Sequence, residues 1–126
     1  MGALVTTLYL VAALINLAPV SGVFGAARLE VLYGLPFADP NLLVLMRHRA
    51  VLFGIVGVLL AVAAFVPGIR TIATVAGLIS MVSYIVVVWL VGPSEINDAL
   101  RRVMWVDVVG IVALVAAVLI DRGLAR

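Results

Sequence analysis

The sequence predicts an all-α membrane protein: a four-transmembrane-helix bundle with short connectors and one short interfacial helix. Three observations lead there. Of 126 residues, 67% are hydrophobic and only 11% are charged. Soluble domains are roughly 45–50% apolar and about a quarter charged, so this chain has too little polar surface to coat a soluble globule. The apolar residues also fall into four long runs, each near the ~20 residues that a helix needs to cross the hydrocarbon core. Finally, Asp39-Pro40, Pro67-Gly68 and Gly92-Pro93 punctuate the chain where those runs meet. The expected spans are about 3–24, 42–66, 69–91 and 102–120, forming a single domain over residues 1–126 with no room for a separate soluble domain.

The first run begins almost at Met1 but has no basic segment ahead of it, since the first cation is Arg28. It is also longer than the apolar stretch of a usual signal peptide, so it reads as a true span. Pro19 and Gly22 loosen its last turns. In the following connector, residues 26–33 read as a brief amphipathic helix ended by Gly34 and Pro36 and lying at the interface. Asp39 suits a helix cap and Pro40 the first helical position, so the second helix starts there. Pro67-Gly68 makes the next turn. After Gly92-Pro93, Ser94 is the expected cap of the last helix, with Glu95 and Asp98 placed favourably against its dipole.

Four spans put both termini on one side, side A, together with the turn between spans two and three. Side B holds the two longer connectors, and Trp89 and Trp105 fall near it, as interfacial tryptophans do. The charge is +2, from eight arginines, no lysine and six acids. Side A has Arg70, Arg122 and Arg126; side B has Arg28, Arg101 and Arg102, with Arg47 and Arg49 at its margin. That balance leaves the orientation open. The arginines are dispersed at membrane edges, so no nucleic-acid partner is implied. The lipid bilayer is the expected surrounding, and the small size suits a homo-oligomer or docking in a larger membrane complex.

Polar residues inside the spans carry the functional signal, because each costs a few kcal/mol unless paired or solvated. Asn16, Arg47, Tyr84 and Asp107 stand out, with His48 and Arg49 beside Arg47. At about 1.5 Å per residue, the first four lie roughly 7–12 Å inside the side B boundary, one from each helix. Each also continues a face of small or packable residues: Arg47 with Ala50, Gly54, Gly57 and Ala61; Tyr84 with Ala73, Gly77 and Ser80; Asp107 with Gly110, Ala113 and Ala117; Asn16 with Tyr9, Ala12 and Ala13. Spans two and four both enter from side B, so Arg47 and Asp107 are expected to pair. Arg49 lies about 200° around the helix from Arg47. It is expected to snorkel to headgroups or meet a side B acid such as Glu30. His48 reads as structural, although imidazole chemistry suits proton exchange. Tyr84 and Asn16 read first as interhelical hydrogen-bonding groups, and the glycine stripe of span two as packing.

No catalytic residue, cofactor or metal is expected. The absence of cysteine removes disulfides, thiolate ligands and cysteine nucleophiles. One histidine, and no acids paired at helical spacing within a span, supply no metal ligand set. There is no glycine-rich phosphate loop or nucleophile elbow.

The segment Met46-Arg47-His48-Arg49-Ala50, followed by Gly54 and Gly57, resembles small bacterial four-helix membrane proteins of the broad DoxX-like type. That resemblance implies a four-helix bundle in a bacterial cytoplasmic (inner) membrane. Similar chains share Leu32-Tyr33-Gly34 and the Arg-His-Arg core, and some carry a phosphopantetheine adenylyltransferase label. Those enzymes are soluble α/β nucleotidyltransferases with a His-x-Gly-His motif, which one histidine and four apolar spans cannot supply.

Three functions follow as expectations. The first is a non-enzymatic accessory subunit or binder of an amphipathic ligand, with Arg47 holding an anionic or carbonyl group and Asp107 orienting it. The second is an enzyme acting on a lipid or quinone-like substrate, with Asp107 or His48 as acid or base and Arg47 stabilising charge. The third is a small oligomeric transporter. The side A interior offers only Tyr9, Thr71 and Thr74 as polar groups, which argues against a continuous path.

Overall fold

The structure is a computed structural model that describes residues 2–125; Arg126, counted above at side A, lies outside them. Five α-helices account for nearly the whole chain: α1 Gly2–Leu17, α2 Ala26–Tyr33, α3 Pro40–Phe65, α4 Arg70–Val91 and α5 Asp98–Ala125. Four segments are long and apolar enough to span a membrane, at Gly2–Phe24, Pro40–Phe65, Pro67–Val91 and Asp98–Gly123. The chain is thus an all-α, four-helix membrane bundle. In the first span the α-helix stops at Leu17 and continues as a 3-10 helix over Ala18–Phe24. Pro19 causes this, because its ring removes an N–H and crowds the preceding turn.

Local chemistry sets the other boundaries. The carboxylate of Asp39 accepts a hydrogen bond from the Asn41 N–H at 2.8 Å, with Pro40 at the first helical position. Gly34 ends α2 in the left-handed region at φ 70° and donates its N–H to the Glu30 carbonyl. The start of α5 departs from expectation. Residues Pro93–Glu95 form a separate 3-10 turn, and Asn97 rather than Ser94 caps the helix, accepting from the Leu100 N–H at 2.9 Å. The turn after Gly92 (φ 114°) uses up the residues that would have made the first turn of a helix capped by Ser94.

The spans form a ring in which α1 packs on α3 and α5, and α4 packs on α5 and α3. The main core lies in the middle and side A half, around Tyr9, Leu60, Met81 and Leu114, with alanines at the closest approaches. The small-residue stripe of α3 is a packing seam, as expected, but it faces α1 and its 3-10 extension. A Cβ on Gly54 would meet Val20, one on Gly57 would meet Leu17, and one on Gly22 would meet Ala50. A methyl group at Gly57 would sit 2.6 Å from Leu17 Cδ2 and 3.2 Å from the Leu17 backbone nitrogen, which cannot withdraw. At Gly54 the nearest atom is a Val20 methyl at 3.4 Å. Gly57→Ala is therefore expected to destabilise the bundle by about 1–3 kcal/mol through overpacking. Gly54→Ala should be neutral or slightly stabilising, since alanine favours a helix by about 1 kcal/mol over glycine. Unfolding in mixed detergent micelles measures both, and equal losses would mean the seam is not the determinant.

Helices α3 and α4, joined by the short turn Pro67–Ile69 at side A, begin in close contact. A Cβ on Gly77 would lie 3.2 Å from Leu60 and 2.9 Å from Leu114. Toward side B, α4 presents Ala76, Ser80 and Ser83, too small to fill the space opposite α3. A cavity opens there.

Candidate functional site

The cavity has a volume of about 780 Å³ and lies between α3 and α4 in the side B half. Arg49, Leu52, Phe53 and Val56 line it from α3, and Ala76, Ile79, Ser80, Ser83, Tyr84 and Val87 from α4. Its side B end is closed by Tyr33 and by Leu35 and Phe37 of the following loop. That roof is itself a small core. Leu29, Tyr33 and Phe37 are buried together, and the rings of Tyr33 and Phe37 meet edge to face at 6.2 Å. Asn97 fastens α2 to the start of α5 by donating to the Tyr33 carbonyl at 2.8 Å.

Arg49 is the centre of the site. Its guanidinium lies 4.5 Å from the Phe53 ring centroid, 5.3 Å from Tyr33 and 5.6 Å from Tyr84. These are cation–π distances, and they strengthen where water is scarce. Among the described residues its one hydrogen bond is from Nη1 to the Tyr33 hydroxyl at 2.6 Å. A guanidinium carries five N–H donors, so most of this fork is unspent at the polar end of an apolar cavity. The Tyr84 hydroxyl is committed elsewhere, donating to the Leu100 carbonyl at 2.9 Å.

The expected Arg47–Asp107 pair does not form. Arg47 is exposed and donates from Nε to the Val23 carbonyl at 2.9 Å, at the end of the α1 seam. The small-residue stripe fixes which residues share a face, and that face meets the first span rather than α5. The ion pairs among the described residues are Arg70–Asp121 and Arg101–Asp98. Asp107 is buried at 6% exposure and makes no hydrogen bond to the described protein. No ion pair includes it among the described residues. Arg49 does not snorkel outward, and Glu30 is exposed and unconnected to it. The turn of about 200° that separates Arg49 from the α1 seam points it at α4 and the cavity.

His48 is exposed. Asn16 behaves as an interhelical hydrogen-bonding group: its Nδ2 donates to the Ala12 carbonyl at 2.9 Å, and its Oδ1 accepts from Ser80 at 3.2 Å. Of the six expected site residues, the structure brings Arg49 and Tyr84 to the cavity and leaves Asp107 outside its lining. Asn16 touches the cavity only through Ser80, while Arg47 and His48 face away. Tyr33 and Phe53 were missed. Phe53 had a legible signal, because it follows Arg49 by four residues and shares its face with Met46 and Val56. No group of histidine, cysteine or acid residues among the described ones could hold a metal ion.

No protein-family model, characterised protein or solved structure matches this chain. The geometry alone therefore carries the functional argument. Leu32-Tyr33-Gly34 and Arg47-His48-Arg49 meet at the Arg49–Tyr33 hydrogen bond.

Proposed function

We propose that the protein is a non-enzymatic binder of an amphipathic ligand, whose anionic or carbonyl head meets Arg49 and whose apolar portion fills the α3–α4 cavity. The observation that carries this reading is an aromatic-flanked guanidinium with unspent donors at the end of a cavity of about 780 Å³. That volume falls within the roughly 300–1,000 Å³ of small-molecule sites. Arginine presents a planar fork suited to carboxylate, phosphate or carbonyl oxygens. Below Arg49 the cavity follows α3 to Val56, about 10 Å at the α-helical rise, along almost wholly apolar side chains. Its wall residues Leu52, Ile79 and Val87 are 49%, 64% and 54% exposed on the lipid-facing surface, so entry is lateral, from the bilayer.

The setting proposed with it is a bacterial cytoplasmic membrane, in keeping with the DoxX-like resemblance. The protein would act alone, as a homo-oligomer or as an accessory subunit of a larger membrane complex. The enzymatic alternative gains nothing from the geometry, because Arg47 and His48 are exposed and Asp107 does not line the cavity.

Native mass spectrometry of the protein released from nanodiscs of total bacterial lipid tests the proposal. Wild type and Arg47→Gln should retain a stoichiometric bound mass. Arg49→Gln should lose it by about ten- to a hundredfold, the worth of a hydrogen bond to a charged donor. Equal retention by wild type and Arg49→Gln, or loss in Arg47→Gln alone, would overturn it.

A further inference from the structure

A second cavity, of about 370 Å³, lies at the opposite end of the bundle between α4 and α5. Its inner polar groups are already committed. The hydroxyls of Tyr9 and Thr74 share a hydrogen bond at 2.9 Å. Arg70 donates from Nε to the Ala63 carbonyl, from Nη2 to the Ala64 carbonyl and from Nη1 to Asp121 Oδ1, at 2.9–3.0 Å. The shaft is apolar, with Val75 and Leu78 on α4 and Val115 and Val118 on α5.

The mouth carries two adjacent opposite charges, Asp121 and Arg122. Asp121 gives one oxygen to Arg70. Its other oxygen has no hydrogen bond among the described residues, and the side chain is 39% exposed. Arg122 is exposed beside it.

We propose that this cavity is a site for a phospholipid with a primary-amine headgroup, of the phosphatidylethanolamine type. A stretch of acyl chain fills the shaft, the phosphate meets Arg122, and the ammonium donates to the second oxygen of Asp121. The phosphate is common to all phospholipids, so Asp121 sets the choice. An ammonium supplies N–H donors and a positive charge to that oxygen. A quaternary ammonium has no donor, and a glycerol headgroup has hydroxyl donors but no positive charge to set against the carboxylate. This site uses different helices and the opposite end of the bundle from the Arg49 cavity, and it stands whether or not that cavity binds its ligand.

The test uses nanodiscs of equal parts phosphatidylethanolamine, phosphatidylcholine and phosphatidylglycerol with identical chains, followed by native mass spectrometry of the retained lipid. Wild type should enrich the amine lipid over the choline lipid by about two- to fivefold, the range of an exposed ion pair. Asp121→Asn keeps an oxygen for Arg70, so the bundle should remain folded, and the preference for amine over choline should vanish. Val115→Phe, which fills the shaft from its wall, should lose the retained lipid at this site with thermal stability unchanged. Arg49→Gln should leave the headgroup preference as in wild type, whatever it does to the other cavity. Bulk proportions in the wild type, preferential retention of the glycerol lipid, or an undiminished amine preference in Asp121→Asn would each overturn the proposal.

Discussion

Arg70→Ala is expected to be the most damaging charge-removing substitution in the chain, at about 3 kcal/mol. Arg70 sits just past the turn that ends α3, and its side chain is 13% exposed. A helix leaves its last carbonyls without intrahelical donors, and Arg70 folds back to supply two of them, at Ala63 and Ala64. It also ties α5 in through Asp121 and lies 5.3 Å from the Tyr9 ring centroid. Each buried acceptor left without a donor costs about 1–3 kcal/mol, and a cation at a helix C-terminus adds a favourable dipole interaction. The Ala64 carbonyl would keep its bond from the Thr6 hydroxyl, which is why the sum stays near the lower end. Arg70→Lys should recover only part of the loss, because one ammonium cannot reproduce a fork aimed at three acceptors. Arg101→Ala is the control. Its partner Asp98 is 89% exposed, and such pairs contribute at most about 1 kcal/mol. Detergent-induced unfolding would measure the three side by side, and similar losses for Arg70→Ala and Arg101→Ala would contradict the clamp.

That clamp explains the shape of the site. Helices α3 and α4 are pinned together at side A by Arg70 and the short turn, and held close as far as Gly77. Beyond Gly77 the small side chains of Ser80 and Ser83 leave space between the two helices toward side B. The candidate cavity is the open end of a helix pair closed at its other end.

Much of this was legible in the sequence. Span positions came from run length and from the Pro and Gly pairs, and the Asp39 cap and the short helix at residues 26–33 came from local chemistry. The start of α5 was misread because the 3-10 turn after Gly92 is set by a positive φ that Ser94 does not reveal. The site was only half legible. Periodicity groups residues onto one face of a helix but does not say which neighbour that face meets. It therefore identified the Arg47–Gly57 stripe as a seam and wrongly aimed its polar end at Asp107. Arg70 was counted as a surface charge, since bonds back to residues six and seven positions earlier exist only once the turn is built. The three rings around Arg49 come from α2, α3 and α4, and only the Phe53 contact is local enough to read in advance.

Asp107→Leu is expected to make the bundle more stable, by about 1–3 kcal/mol. An acid held at 6% exposure within a membrane span carries a desolvation cost, and replacing buried ionisable groups by packed hydrophobic volume can stabilise a fold by such an amount. Asp107 stands apart from both ion pairs, and its carboxyl oxygens are not sealed from the surface. It lies on the packed face of α5, one turn from Gly110, whose added Cβ would meet Met81 and Ile15. If Asp107 instead served to fix helix register through a partner, its loss would lower stability. Thermal melting in detergent therefore separates the two roles. The companion measurement is ligand retention at the Arg49 cavity. Asp107 does not line that cavity, so retention asks whether it acts there through its neighbours. A gain in stability together with altered retention is the mark of a residue kept for binding at a cost to folding. A gain in stability with retention unchanged would detach Asp107 from the site and leave Arg49 and its three aromatic rings to define it.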